Sequence, residues 1–237
     1  MWKLSKYLQG CRLAYIIHCP WFSMETMRAF VRYQEIKFLP AFSTNIDYNS
    51  SLKVTVWISY VGNTSFVWEY IVSDYVTGAQ LAKAFTQMVL VDVASRRPMK
   101  IPEEMRQRIV NARSPIIPQF PTKSANPYRF RLSVASSDTD YNQHTNQAVY
   151  VRMCMDAVSA GALKGQFSFP KEVAYYNPKS LTVNYVKESR MGETLEFACW
   201  EDGNKPLSIC CEVSKGSEVI CQCQMEFENG AAVTSKL

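Results

Sequence analysis

The stretch Ser137-Asp138-Thr139-Asp140-Tyr141-Asn142-Gln143-His144-Thr145-Asn146 runs straight into an apolar segment that begins at Ala148. It reads as a polar loop feeding a helix. Asn146 is a suitable N-cap, and the helix predicted over 148–163 carries Val149, Val151, Met153, Met155, Ala157 and Val158. It is apolar on most of its faces, which marks a buried helix rather than an amphipathic one. In extended backbone, residues two apart project to the same side. Asp140, Asn142 and His144 would then line one wall, an acid, an amide and an imidazole at the mouth of a helix. Such a set can do acid–base and carbonyl chemistry. His144 is one of two histidines in the chain, the other being His18, which reads as structural.

Outward from this junction the chain repeats one pattern. In the first half, Leu52, Val54, Val56, Ile58 and Tyr60 alternate with Lys53, Thr55, Trp57 and Ser59, predicting a half-buried strand. A turn at Gly62-Asn63 leads to a strand over 66–72, and a turn near Gly78 to a third over 81–93. Short turns make these three an antiparallel meander. The second half repeats it with strands over 194–200, 207–213 and 218–227, turning at Gly203-Asn204 and Gly216. A further strand is expected over 128–134. Between the halves, Pro102-Glu103-Glu104 starts a helix over 101–113, and Pro115, Pro118 and Pro121 form a stiff linker. The expected domains are 1–121 and 122–237. One helix wrapped by an antiparallel sheet, written twice, accounts for this order, giving an α+β fold.

Composition narrows the class. Hydrophobic residues make up 47% of the 237 and charged residues 20%, the balance of a globular protein with a substantial core. No apolar run approaches the roughly 20 residues needed to span a bilayer as a helix. The net charge of +5 includes local groups at Arg96, Arg97 and Lys100 and at Arg106, Arg108 and Arg113. That excess suits an anionic partner such as coenzyme A phosphates or an acidic carrier protein, or a plain solvated surface. No basic run is interleaved with stacking aromatics, so nucleic acid is not expected. The eight cysteines contain no CxxC pair and read as buried fillers in a reducing compartment. One histidine among oxygens is not a zinc set, so neither a metal nor a cofactor is expected. Lys3, Lys6 and Arg12 precede the first acid, Glu25, which fits a presequence or a structural helix, and the helix is preferred. The location expected is intracellular, cytoplasmic or organellar, with mitochondrion or plastid both open.

Asp140-Tyr141-Asn142-Gln143-His144-Thr145-Asn146 resembles the D-x-N-Q-H-x-N signature of plant and bacterial acyl–acyl carrier protein thioesterases, members of the 4-hydroxybenzoyl-CoA thioesterase superfamily. The resemblance implies a tandem hotdog fold, each domain a curved antiparallel sheet around a central helix, with the catalytic set in the second domain. It implies hydrolysis of fatty acyl thioesters on acyl carrier protein or coenzyme A, without a cofactor. The family also has a glutamate on the strand after the helix, in a Y-R-R-E-C setting. Tyr185-Val186-Lys187-Glu188-Ser189 stands in that place, making Glu188 its counterpart and Ser189 the replacement for the cysteine. Asp140, Asn142, His144 and Glu188 are thus the implied catalytic residues. Asn146, Trp57, Phe66 and Trp68 are the candidate substrate contacts.

The first half departs from this pattern. It has no Asp-Asn-His cluster, and Ala41 occupies the position matching Glu188. It reads as an N-terminally shortened, non-catalytic, acyl-binding domain whose segment 1–17 is the tail of a central helix. Because a domain so shortened could also leave the chain without activity, an acyl-binding or scaffold protein is the alternative. A hotdog dehydratase ranks below both. A homodimer is a further possibility.

Overall fold

The computed structural model describes residues 1–18, 22–23, 25–45, 50–107, 109, 116–140, 143–168 and 176–228. The chain separates into two compact units, Tyr7–Pro118 and Met1–Lys6 with Gln119–Leu237. The expected boundary at 121/122 therefore lies three residues beyond the one observed, and the first six residues group with the second unit.

The N-terminal unit is a four-stranded antiparallel sheet beside a helix. Helix α1 spans Trp2–Ile17. The strands are β1 (Met27–Phe38), β2 (Leu52–Val61), β3 (Ser65–Asp74) and β4 (Gln80–Asp92), in the order β2-β3-β4-β1. The short helix α2 covers Pro40–Asn45. The three-stranded meander lies where alternation placed it. Strand β1 was not foreseen, because Met27 to Phe38 mixes charge and apolar residues without a clean period. The core comes from alternate residues: Phe66, Trp68, Tyr70 and Val72 on β3, and Ala82, Ala84, Met88 and Leu90 on β4. Tyr15 of α1 meets Trp68 edge-on at 4.9 Å. Helix α1 has 16 residues, against 17 for the second helix described below. Helix α3 covers Glu103–Gln107; most of the remainder of the expected 101–113 lies outside the described residues.

The C-terminal unit has five antiparallel strands: β5 (Tyr128–Ser133), β6 (Pro178–Tyr185), β7 (Thr194–Glu201), β8 (Ser208–Lys215) and β9 (Glu218–Phe227). Their order is β6-β9-β8-β7-β5. Helix α4 (Gln147–Leu163) packs against β5, β7, β8 and β9. Ten of its residues are buried, from Ala148 to Ala162, as its apolar sequence requires. Gly161 is fixed by contact: a Cβ there would lie 2.6 Å from the Phe167 ring and 2.8 Å from Tyr128.

Register brings Cys199, Cys211 and Cys223 side by side across β7, β8 and β9. All three are fully buried, with Cys199 and Cys211 sulfurs 3.1 Å apart. Burial pushes the Cys211 and Cys221 thiols well up, so they stay protonated and act as apolar filling. No helix among the described residues is long and apolar enough to cross a membrane.

Candidate active site

The loop between β5 and α4 is built on backbone bonds. Ser136–Asp138 forms a single 3-10 turn. The Asp140 N–H donates to the His144 carbonyl and the Gln143 N–H to the Asp140 carbonyl, each at 2.9 Å. Gln143 sits at φ 62°, left-handed and unusual for a side chain of its size. Gln143 therefore makes a turn between Asp140 and His144. Asn142, the middle member of the expected wall, and Tyr141 lie outside the described residues. Thr139 then bridges Thr145 and His144 bridges Arg190, in antiparallel pairs of one residue each.

That second bridge brings Glu188 to His144. Glu188 is not on a strand: β6 ends at Tyr185, three residues earlier. His144 Nε2 lies 3.3 Å from Glu188 Oε2. The imidazole is sheltered, with 14% of its side chain exposed, and the carboxylate is open at 44%. The pair thus joins a held nitrogen to an oxygen that water reaches.

Two buried networks hold the pair, and neither was legible in sequence. In the first, Ser189 is fully buried beside Glu188. Its Oγ lies 2.6 Å from Thr145 Oγ1 and 2.7 Å from Tyr150 Oη. The Ser189 N–H donates to Tyr150 Oη at 3.0 Å, and the Thr145 N–H to the Ser189 carbonyl at 2.8 Å. Residues adjoining His144 and Glu188 are therefore tied to each other and to α4. Burial pushes the Tyr150 phenol up to about 12, so it stays a neutral donor and acceptor. In the second network, Asp138 Oδ1 accepts from Arg152 at 2.6 Å and Oδ2 from the Ala135 N–H at 2.9 Å. The Asp138 carbonyl takes the Asn146 N–H at 2.9 Å. Separations of 14 and 39 residues leave no local periodicity to read.

At the start of α4 the expected N-cap is formed: Asn146 Oδ1 accepts from the Ala148 N–H at 2.9 Å, and its carbonyl accepts from Val149. The next residue, Gln147, was passed over, yet its Nε2 is buried with no hydrogen-bond partner. Tyr185 Oη donates to the Gln147 carbonyl at 3.0 Å. An orphaned buried amide is rare enough to demand a reason.

In the N-terminal unit, Phe66 and Trp68 are fully buried. Trp57 is not: it shares the outer face of β2 with Lys53 and Thr55 and is 36% exposed. The alternation along β2 sets it among the polar residues. Ala41 falls three residues past β1, as Glu188 falls three past β6. His18 is exposed at the end of α1. Among the basic groups, Arg96, Arg97 and Lys100 are exposed, whereas Arg106 donates to the Asn63 carbonyl at 3.1 Å. Arg108 and Arg113 lie outside the described residues.

Residues 122–235 match the family model for the acyl-ACP thioesterase C-terminal domain. That span holds the whole loop, α4 and Glu188. It is similar to the C-terminal domain of the acyl-ACP thioesterases. A chloroplastic acyl-[acyl-carrier-protein] hydrolase of Cuphea viscosissima is 26% identical over 195 residues, covering 78% of this chain and 43% of the relative. A chloroplastic palmitoyl-acyl carrier protein thioesterase of Arabidopsis thaliana is 26% identical over 196 residues, covering 77% and 43%. The chain thus spans less than half the length of the curated relatives it matches. An acyl-ACP thioesterase from Bacteroides thetaiotaomicron superposes with a TM-score of 0.76 at 21% identity, over 96% of this chain and 89% of that one. A 12:0-ACP thioesterase from Umbellularia californica gives 0.76 at 18%, with the same coverage. These likenesses give the fold as the hotdog fold of acyl-ACP thioesterases, the α+β class expected.

Proposed function

We propose that this chain hydrolyses fatty acyl thioesters, with acyl carrier protein as the carrier, to a free fatty acid and a thiol. The observation that carries the reading is the His144–Glu188 pair, 3.3 Å apart and held at the mouth of α4. The family of residues 122–235 and the names of its relatives support it.

Glu188 serves as the general base: an open carboxylate takes a proton from water as the water oxygen attacks the thioester carbon. His144 orients that carboxylate and supplies a proton to the departing sulfur. The C–O bond forms, the C–S bond breaks, and the water proton ends on the thiol. The developing oxyanion needs a donor, and the unpaired Gln147 amide in the first turn of α4 is the one left over. Asp140 and Asn142 complete the set by resemblance to the family motif. The N-terminal unit has Ala41 at the position matching Glu188, and its buried Phe66 and Trp68 are candidate acyl contacts. Exposed Arg96, Arg97 and Lys100 offer charge to an acidic carrier. The relatives named above are chloroplastic, which supports an organellar location.

The test is thiol release from acyl-ACP and acyl-CoA of several chain lengths by the purified protein. Release that disappears in His144→Ala is the expected result. Acyl binding without release in the wild type would favour the non-catalytic acyl-binding reading instead.

A further inference from the structure

The core of the N-terminal unit contains a charge that no carboxylate among the described residues balances. Arg12, on α1, is 2% exposed. Its Nη1 donates to Tyr70 Oη at 3.1 Å and to Thr86 Oγ1 at 3.3 Å. The guanidinium carbon stands 6.0 Å from the centre of the Tyr70 ring. No carboxylate among the described residues pairs with it. A guanidinium has five N–H donors, and these contacts engage one nitrogen. Tyr70 offers no negative charge, since burial holds its phenol above the ordinary value against the pull of Arg12.

The surroundings add donors rather than a counter-charge. Register places Trp68, Thr86 and Gln34 directly abreast on β3, β4 and β1. Directly opposed side chains start about 5 Å apart, so this row lies beneath Arg12 at Thr86. Gln34 Nε2 donates to Thr86 Oγ1 at 3.2 Å. Trp68 is fully buried and its Nε1–H has no hydrogen-bond partner among the described residues. A cation without a counter-charge and an unpaired N–H, both buried, are each costly alone. Next along the same strands, two residues away, stand the buried apolar side chains Phe66, Met88 and Ile36.

We propose that this cluster binds a carboxylate carried at the end of an aliphatic chain. Its oxygens satisfy Arg12 and Trp68 together, its charge balances the guanidinium, and these apolar side chains take the chain. Arginine favours carboxylates because its donors form a planar fork. Two molecules carry that chemistry: a free fatty acid, and an acyl thioester whose far end is a second carboxylate.

Calorimetric titration with decanoate and decanol tests binding without reference to hydrolysis. The wild type is expected to prefer decanoate by about tenfold or more, the scale of a charge-assisted bond. Arg12→Met should remove that preference, and Glu188→Gln should keep it. Equal affinity for acid and alcohol in the wild type overturns the proposal, as does a preference that survives Arg12→Met. If Arg12→Met does not fold, Trp68→Phe takes its place, and there an undiminished preference counts against the proposal. A kinetic arm, which rests on the thioesterase reading, compares decanoyl with ω-carboxydecanoyl thioesters. A higher kcat/KM for the second assigns the site to substrate; no gain, with decanoate still bound, assigns it to free fatty acid.

Discussion

Tyr150→Phe removes one oxygen from the point where the His144 loop, the Glu188 segment and α4 are joined. The phenol accepts the Ser189 N–H at 3.0 Å and shares a hydrogen with Ser189 Oγ at 2.7 Å. Ser189 is fully buried, so water does not replace what is lost. The orphaned N–H costs about 1–3 kcal/mol and the lost side-chain bond about 1 kcal/mol, together roughly 2–4 kcal/mol. For a chain of this size that is a fall in Tm of about 4–16 °C. Thr145 still holds Ser189 Oγ at 2.6 Å, so the loop loosens rather than detaches. With the His144–Glu188 geometry relaxed, kcat should drop by about tenfold or more, with KM less affected. Alkaline unfolding gives a second readout. The phenol has a pKa of about 10 when unfolded and about 12 when folded. Its contribution to stability is complete below about pH 10 and is lost as pH rises towards 12. The variant should lack that slope. Wild-type unfolding by urea and heat, with wild-type turnover, would refute the idea that this hub positions the pair.

Three further outcomes are expected. Gln147→Met should leave stability unchanged or raised, since it removes an unpaired buried amide, yet lower kcat by about 10²-fold, the scale of a lost oxyanion donor; urea unfolding and turnover check the two halves separately. Gly161→Ala should cost about 1–3 kcal/mol by overpacking, because its Cβ meets the Phe167 and Tyr128 rings, as read from the midpoint of unfolding. Shrinking Phe66 should change the preferred acyl length, each buried methylene being worth about 0.8 kcal/mol, whereas Trp57→Ala on the outer face should not; a series of thioesters of different length separates them.

The meander strands and α4 were legible because their burial is periodic. Leu52, Val54, Val56 and Ile58 alternate as a strand must, and 148–163 is apolar on most of its faces, as a buried helix must be. Asn146 as N-cap followed from a local rule that the structure obeys. Strand β1 was opaque because its period is broken, with both Tyr33 and Gln34 fully buried at a bulge. Helix α3 begins where Pro102 and the glutamates mark a start. At the site, the expected residues His144 and Glu188 do meet. A left-handed Gln143 turns the chain, and nothing in a single sequence marks glutamine for that conformation. The hydroxyl network of Thr145, Tyr150 and Ser189 is tertiary, joining residues 39 and 44 apart. The partners of Arg12 were hidden for a related reason: Tyr70 and Thr86 stand 58 and 74 residues away.

The central claim is that Glu188, beside His144, activates water against a thioester. Steady-state thiol release from acyl-ACP by Glu188→Gln, set against the wild type at matched fold and matched acyl binding, tests it most directly. The side chain keeps its size and loses only its capacity to take a proton. The expected result is a kcat lower by about 10²-fold or more with acyl binding retained. Turnover in Glu188→Gln equal to the wild type would contradict it.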